Sequence, residues 1–379
     1  MQTFDTHITG GEGLMASKLV ERMACLAIAG LGIALTTAAA PASSPAPCTA
    51  STTDCIEWVS LGTGNARSMV YRTYPLTQKN SAIHRALIMV HGTNRNADHY
   101  FATATGAAFL ANALTDTMVI SPAIRSADGR CKDALEANEV SWSCGGDSWR
   151  SGGNSPTNPK LTSFDFVDRI IRLLADKHTF PNLTEIVVAG HSAGGQFVAR
   201  YAMATRVNDT PGVTISYVSA NPSSYAWPDA TRPLPEGDGA PANAVAGWQT
   251  ETPHDQFAFG PFDAAKAPKY NLWPFGLAER TTGYTVGISD DQLRKQLASR
   301  RITYLLGQVD TLPLGGFDGS PNAMAQGATR RARGEAFVKY VNEHLGAHSK
   351  AIVIPECGHN DRCVYTTDIV FPYIFPAAH

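Results

Sequence analysis

The chain has 379 residues, of which 44% are hydrophobic and 17% are charged. This composition allows a large buried core, and the length fits one large α/β domain or two smaller ones. With a formal charge of -2 and a pI near 6.6, the chain lacks the positive charge that would favour nucleic acid or an anionic membrane surface as a partner.

The N-terminal region has the outline of a secretory signal peptide. Residues 24–37 form an uncharged apolar run, with Lys18 and Arg22 before it and small residues after it. The run is shorter than the ~20 apolar residues that a membrane-spanning helix needs. We therefore expect residues 1–42 to be a signal peptide cleaved after Ala42. The mature protein would be secreted or periplasmic and would have no stable membrane anchor.

Six cysteines remain when Cys25, which lies inside the predicted signal peptide, is set aside. They occur as three pairs of sequence neighbours: Cys48 with Cys55, Cys131 with Cys144, and Cys357 with Cys363. Closing a short loop loses the least chain entropy, so we expect three local disulfides and an oxidising compartment. The alternative is a zinc site, but the cysteines are dispersed and no C-x-x-C occurs. We expect neither a metal nor another cofactor.

The folded domain is predicted to begin near residue 56. Residues 43–55 are mostly Ala, Pro, Ser and Thr, which indicates a short mobile linker before a catalytic domain at 56–379. In residues 57–62 and 68–76, apolar side chains roughly alternate with polar ones around a Thr-Gly-Asn turn. This pattern predicts a hairpin at the edge of a sheet.

Strand and helix patterns then alternate along the chain. Short apolar runs, several of them rich in β-branched residues, occur at 86–90, 118–120, 186–189, 213–218, 302–306 and 351–354. Helical patterns occur at 98–114, 164–177, 195–207, 290–300 and 330–345. Largely apolar runs are typical of strands that are buried on both faces. The alternation therefore predicts an α/β fold with a mainly parallel, doubly wound sheet covered by helices on both faces.

Two irregular segments interrupt this alternation. Residues 128–159 are rich in Gly, Ser and Asn, and residues 223–285 are rich in Pro, Gly and aromatic side chains. Both follow predicted strands at the carboxyl edge of the sheet, where ligands bind in such folds. We expect the two segments to wall a pocket, with 223–300 as an inserted cap. Tyr225 and Trp227 are the predicted substrate contacts, although packing within loops is the alternative role of such aromatics.

The run at 186–189 leads into Gly190-His191-Ser192-Ala193-Gly194, a G-x-S-x-G pentapeptide followed by a helical pattern. In a sharp strand-to-helix turn, side chains at Gly190 and Gly194 would collide with the neighbouring strand and helix. The turn would expose Ser192 Oγ and would point the Ala193 N–H at the oxygen of an attacked carbonyl. The pentapeptide alone is a loose pattern, but the strand before it and the helix after it favour a nucleophile.

A nucleophilic serine needs a base within hydrogen-bond reach and a carboxylate that orients the base. In the doubly wound hydrolase arrangement the acid and then the histidine follow later strands. His359 follows the run at 351–354, and Asp310 follows the run at 302–306. The alternatives are an ordinary loop histidine and a turn-capping aspartate. Asp229 is the nearest carboxylate after the preceding strand.

A second oxyanion donor is expected in the loop after the run at 86–90, which reads His91-Gly92-Thr93-Asn94. A glycine there allows the backbone to approach a ligand closely, so the N–H of Thr93 or of Asn94 could act with that of Ala193. Thr93 is our first choice. The alternative is that this segment is a plain strand-to-helix turn.

In order and placement, His91-Gly92, the pentapeptide at Ser192, Asp310 and His359 resemble the α/β-hydrolase superfamily over residues 56–379. The resemblance implies the α/β-hydrolase fold and a Ser-His-Asp triad. Further segments resemble a secreted bacterial and fungal group near the polyhydroxybutyrate depolymerases and esterase-like hydrolases. They are residues 146–153, 220–225, 326–327 and 330–337.

The sequence therefore predicts a secreted serine hydrolase that cleaves small-molecule or polymeric carboxylic esters through an acyl-enzyme. A serine peptidase or a polyester depolymerase could use the same residues. A non-catalytic secreted binding protein is the alternative of another class. The sequence lacks the Gly-Cys-x-Gln segment of extracellular depolymerases, which argues against polymers. The presence of all the expected triad residues argues against the non-catalytic alternative.

Overall fold

A computed structural model describes residues 46–145, 148–234, 250–254 and 256–378. The predicted signal peptide lies outside these residues, and so do residues 235–249 of the predicted cap. Within the described ranges, no helix combines the length and the apolar character that a bilayer span requires.

The main sheet is mixed at one edge and parallel in the rest. The strands are β1 (Ile56–Ser60), β2 (Arg67–Arg72), β3 (Arg85–Val90), β4 (Thr117–Pro122), β5 (Glu185–His191), β6 (Thr214–Ala220), β7 (Thr231–Pro233), β8 (Phe259–Pro261), β9 (Ile302–Gly307) and β10 (Lys350–Ile354). Eight of them form one sheet in the order β1-β2-β4-β3-β5-β6-β9-β10, and β7 pairs with β8 in a second, small sheet. The pairings β1 with β2 and β2 with β4 are antiparallel, and the other pairings of the main sheet are parallel. The predicted edge hairpin is confirmed.

The described helices are α1 (Ala97–Leu110), α2 (Ser163–Leu174), α3 (Ala193–Ala204), α4 (Asp290–Ser299), α5 (Pro321–Met324), α6 (Arg330–Leu345), α7 (Asp361–Tyr365) and α8 (Phe371–Ile374). Short 3₁₀ helices occur at Thr53–Cys55 and Trp149–Ser151. All five predicted helices are present, and α6 has the predicted bounds. The elements that the sequence patterns missed, β7, β8, α5, α7 and α8, have three to five residues each, which is too few to display a period.

The central strands are buried on both faces. Ile88 of β3 and Val188 of β5 point into one core, which they share with side chains of α2, α3, α4 and α6. Leu87 and Val187, their neighbours along the strands, point into a second core with side chains of α1, α7 and α8. Alternate residues of a strand face opposite sides, so these strands need apolar residues at nearly every position. This layering confirms the predicted fold class.

Helix α2 shows how the sequence sets one of these layers. Its N-cap Thr162 accepts a hydrogen bond from the Asp165 N–H, and the Asp165 side chain accepts one from the Thr162 N–H. The apolar stripe of α2 is fully buried against the sheet. It consists of Phe164, Val167, Ile170, Ile171 and Leu174.

The structure contains three disulfides, and they join the neighbouring cysteines as predicted: Cys48–Cys55, Cys131–Cys144 and Cys357–Cys363. The first disulfide lies in the region predicted as a mobile linker. There the Cys48 N–H donates to the Thr73 carbonyl at 2.7 Å, and Ser51 Oγ donates to the Asp98 carbonyl at 2.8 Å. From residue 46 onward, this segment is therefore attached to the domain.

Candidate active site

Ser192 lies in a sharp turn between the end of β5 and the start of α3. Its backbone has φ 59° and ψ -117°, a conformation that a residue with a side chain seldom adopts. A Cβ atom at Gly190 would lie 2.5 Å from the Gly194 carbonyl oxygen, and one at Gly194 would lie 2.2 Å from the Val90 carbonyl oxygen. The two glycines are therefore required by close backbone packing, as the sequence predicted.

The structure brings Ser192, His359 and Asp310 into one hydrogen-bonded chain. Ser192 Oγ is 2.9 Å from His359 Nε2, and His359 Nδ1 is 2.8 Å from Asp310 Oδ2. Asp310 follows β9, and His359 lies between β10 and α7. Both partners thus reach the serine from the carboxyl edge of the sheet. This geometry suits a nucleophile, a general base and a carboxylate that orients the base.

Asn221, directly after β6, ties together the loops that hold the acid and the histidine. Its Oδ1 accepts from the Gly307 N–H at 2.7 Å, and its Nδ2 donates to the Gly358 carbonyl at 3.1 Å. Its backbone φ of 46° falls in the left-handed region that asparagine tolerates. In the sequence, Asn221 belongs to the segment 220–225 that resembles the esterase-like hydrolases, but no role was predicted for it. The sequence signal that could have indicated its role is an asparagine directly after a buried strand.

A second histidine packs against His359. His191 is buried, its Nδ1 is 3.1 Å from Tyr100 Oη, and its ring centroid is 4.6 Å from that of His359. Burial lowers the pKa of His191 well below its usual range, and the nearby charges of His359 and Arg330 lower it further. Burial also raises the pKa of Tyr100. His191 and Tyr100 are therefore both neutral, and they add no net charge beside the candidate base.

The loop after β3 is held in place by His91. Its Nε2 accepts from the Ile124 N–H at 3.1 Å, so Nδ1 carries the proton and donates to the Gly92 carbonyl at 2.9 Å. Burial lowers the pKa of His91 to about 4, which keeps this ring neutral. A Cβ at Gly92 would lie 2.7 Å from Tyr100 Oη, so a larger residue there would displace the tyrosine side chain.

Two backbone N–H groups near Ser192 are candidates for an oxyanion hole. Ala193 is the first residue of α3, so its N–H lies among the donors that have no acceptor within the helix. Thr93 and Asn94 both line the cavity that contains Ser192. The assignment of Ala193 and Thr93 as donors stays a prediction.

The cavity that contains Ser192 has a volume of about 390 Å³ and a largely polar wall. Besides Ser192 and His359, its lining consists of Gly92, Thr93, Asn94, Asn96, His99, Tyr100, His191, Gly315, Gly316 and Asp361. These residues come from α1, α7, the end of β5 and the loops after β3, β9 and β10. In the described ranges, no lining residue belongs to 128–159 or 223–300, which the sequence predicted as walls. The loop between β9 and α5 contributes Gly315 and Gly316 to the wall.

The structure does not bring Tyr225 and Trp227 to the cavity. Both are fully buried, and they pack under α6, with ring centroids 4.6 Å apart for Tyr225 and Phe337 and 5.0 Å apart for Trp227 and Tyr340. They therefore belong to the core and not to a substrate surface. The sequence placed them correctly after a strand, but it could not show that the chain turns beneath a helix there.

No group of three or more His, Cys, Asp or Glu side chains in the described ranges is arranged to hold a metal ion.

The sequence matches the profile of the alpha/beta hydrolase family over residues 87–368. Among solved structures, it is 18% identical to a poly(3-hydroxybutyrate) depolymerase from Bordetella parapertussis, with 82% of this chain and 84% of that chain covered and a TM-score of 0.53. It is 22% identical to poly(aspartic acid) hydrolase-1 from Sphingomonas sp. KT-1, with coverage of 82% and 95% and a TM-score of 0.52. Likeness at these identities shows a shared fold. No curated protein matches the sequence.

Proposed function

Because the chain belongs to the alpha/beta hydrolase family, we propose that it is a secreted serine hydrolase that cleaves carboxylic esters. The observation that supports this most is the pair of contacts at His359, 2.9 Å to Ser192 Oγ and 2.8 Å to Asp310 Oδ2. In this proposal Ser192 is the nucleophile, His359 the general base and Asp310 the acid that orients the imidazole.

In the first half-reaction, Ser192 Oγ attacks the ester carbonyl carbon and its proton moves to His359 Nε2. The carbonyl oxygen becomes an oxyanion and accepts hydrogen bonds from the N–H groups of Ala193 and Thr93. Collapse of this intermediate breaks the bond to the leaving oxygen, which receives the proton from His359. The acyl group remains on Ser192, and the alcohol leaves.

In the second half-reaction, water attacks the acyl carbon and gives its proton to His359. Collapse of the second intermediate releases the carboxylic acid and returns the proton to Ser192 Oγ. Asp310 accepts the hydrogen bond of the Nδ1 proton and stabilises the imidazolium that forms in each step.

Export is supported by the three disulfides, because such bonds persist in oxidising compartments and are rare in the cytosol. It is tested by expression with the native N-terminus and N-terminal sequencing of the mature protein. A product that begins after Ala42 supports the proposal, and retention of residues 1–42 in the cytosol contradicts it.

The activity is tested with p-nitrophenyl esters, peptide anilides and a fluorophosphonate probe. We expect ester turnover, fluorophosphonate labelling of the wild type, and neither in Ser192→Ala. Faster cleavage of anilides than of esters would replace the proposal with a serine peptidase. A folded wild type that the probe does not label would instead favour a non-catalytic binding protein.

A polyester is a second candidate substrate, and one observation favours it. Leu312 and Leu314 are 58% and 62% exposed, and they belong to the loop that contributes Gly315 and Gly316 to the cavity wall. Exposed apolar side chains on a loop that lines an active-site cavity suit an insoluble apolar surface. We expect a Leu312→Ser, Leu314→Ser double variant to release less product from a poly(3-hydroxybutyrate) film while keeping its turnover of p-nitrophenyl acetate. Equal loss on both substrates would contradict this candidate.

A further inference from the structure

Helix α6 begins with three buried arginines, Arg330, Arg331 and Arg333, which are 1%, 3% and 0% exposed. Cations are disfavoured at the N-terminus of a helix, where the peptide dipoles already place positive charge. Burial of a charge is also unfavourable unless it is paired and hydrogen-bonded. The partners of these side chains must therefore offset both effects.

Two of the three arginines donate to groups other than the Asp310 side chain. Arg331 bonds to Glu335 Oε1 at 2.7 Å and to the carbonyl oxygens of Gln308 at 3.0 Å and Thr252 at 2.9 Å. Arg333 bonds to the carbonyl oxygens of Gly327 at 2.8 Å, Asp318 at 2.9 Å and Ser223 at 2.5 Å. Neither guanidinium contacts Asp310 or His359 in these bonds.

Arg330 differs, because its guanidinium donates to the Asp310 carboxylate and also joins the loop after β9 to the loop after β6. Nη1 bonds to Asp310 Oδ1 at 3.1 Å, and Nε bonds to Ser223 Oγ at 2.7 Å, after β6. Nη2 bonds to the carbonyl oxygens of Leu314 at 2.7 Å and Gly315 at 3.0 Å, in the wall of the cavity. Its side chain is 0% exposed, so these bonds do not compete with solvent.

Both oxygens of the Asp310 carboxylate therefore have hydrogen-bond partners. Oδ1 accepts from Arg330, and Oδ2 faces His359 Nδ1. The wall bound by Arg330 also touches the imidazole, because a Cβ at Gly315 would lie 2.8 Å from His359 Cδ2. The Arg330 guanidinium thus fixes the orientation of Asp310. It also fixes the position of the Leu314-Gly315 backbone beside the imidazole of His359.

We propose that Arg330 is a positioning residue, which holds Asp310 and the Leu314-Gly315 wall in the geometry that His359 needs as a base. The inference rests on the proposed function. The positive charge of Arg330 also offsets part of the negative charge of Asp310. Without Arg330, Asp310 would attract the imidazolium of His359 more strongly.

The test is Arg330→Gln, assayed on p-nitrophenyl acetate across pH. We expect kcat to fall by about 10²-fold, the loss expected when a catalytic group moves by roughly 1 Å. KM should change less than kcat, because the buried side chain has no surface with which to contact substrate. The acidic limb of the kcat/KM profile should move to higher pH by roughly one unit, because Asp310 then attracts the imidazolium without opposition.

Two further variants separate positioning from stability. Arg333→Gln removes an equally buried arginine of the same helix that does not bond to Asp310. It should lower thermal stability without moving the acidic limb. Arg330→Lys keeps the charge but replaces the planar fork with a single ammonium. We expect its acidic limb to stay at the wild-type pH while kcat falls by roughly tenfold. A single ammonium lacks the planar fork that bonds to Asp310, Ser223 and the wall together.

The outcomes distinguish this inference from the proposed function. A wild type that neither turns over esters nor reacts with fluorophosphonate rejects the proposed function first. An active, labelled wild type with unchanged kcat and an unchanged acidic limb in Arg330→Gln overturns the role of Arg330 alone. If Arg330→Gln does not fold, Arg330→Lys decides, and a wild-type kcat in that variant overturns the inference.

Discussion

The two sides of the candidate active site are held together by different forces. The serine side is fixed sterically by contacts between backbone atoms, with Gly190 and Gly194 packed where no Cβ fits. The acid and histidine side is fixed by hydrogen bonds of Asn221 and Arg330 between distant segments and by the local Cys357–Cys363 disulfide. We therefore expect substitutions of the two glycines to act first on folding, and substitutions on the other side to act first on chemistry.

Asp310→Asn is the largest expected effect and the clearest test of that difference. An amide cannot stabilise the imidazolium and favours the wrong tautomer of His359, so kcat should fall by about 10⁴-fold. The fold should persist, because Arg330 keeps its bonds to Ser223 and to the wall. Turnover and the thermal midpoint are the two measurements.

The matched control for Asp310→Asn is Asp318→Asn, a change of the same kind in the same segment. The Asp318 carboxylate accepts from the Ser320 N–H at 3.0 Å and has no contact with His359 among its hydrogen bonds. Its kcat should stay near that of the wild type. A similar loss of kcat in both variants would mean that the loss comes from disturbing this segment and not from removing the Asp310 carboxylate.

Gly194→Ala reverses the order of effects, because it should damage the fold before the chemistry. Its Cβ would lie 2.2 Å from the Val90 carbonyl oxygen and 2.7 Å from that of His91, both backbone atoms that cannot move aside. We expect a loss of about 3 kcal/mol in the free energy of unfolding, at the upper end of typical overpacking. Denaturant unfolding measures it.

Gly106→Ala provides the opposite case within the same chain. Gly106 lies in α1, and a Cβ there meets nothing within 4 Å. Alanine should therefore stabilise the helix by about 0.5–1 kcal/mol. If both alanine variants were equally stable, the steric account of the serine turn would be wrong.

The same contrast explains what the sequence could reveal. Ser192, Asp310 and His359 each come within five residues of the end of a strand, so an apolar run locates them along the chain and the sheet brings them to one edge. The bonds of Asn221 and Arg330 join residues 137 and 107 positions apart, and no local pattern encodes such distances. The cavity wall was misassigned for a related reason, since composition identifies an irregular segment but not the direction in which it packs.

The pH dependence of stability should reflect the neutral histidine beside the serine turn. The pKa of His91 is lowered to about 4 by burial, against about 6.5 for an unfolded chain. Between these values the unfolded state binds one more proton than the folded state. The free energy of unfolding should therefore fall as pH decreases through this window, by about 1.4 kcal/mol per unit from His91 alone. Protonation of His91 at Nε2 would also place one N–H donor against another, because the Ile124 N–H now donates to Nε2.

His91→Gln isolates that contribution, because its Oε1 can accept from the Ile124 N–H without titrating. The unfolding free energy of this variant, measured in denaturant from pH 7 to pH 4.5, should decline less steeply than that of the wild type. It should still decline, because His191 is also buried with a lowered pKa and continues to oppose protonation of the folded state. Equal slopes of unfolding free energy against pH in the two proteins would show that the His91 ring is not held neutral. Steric packing alone would then fix the serine side.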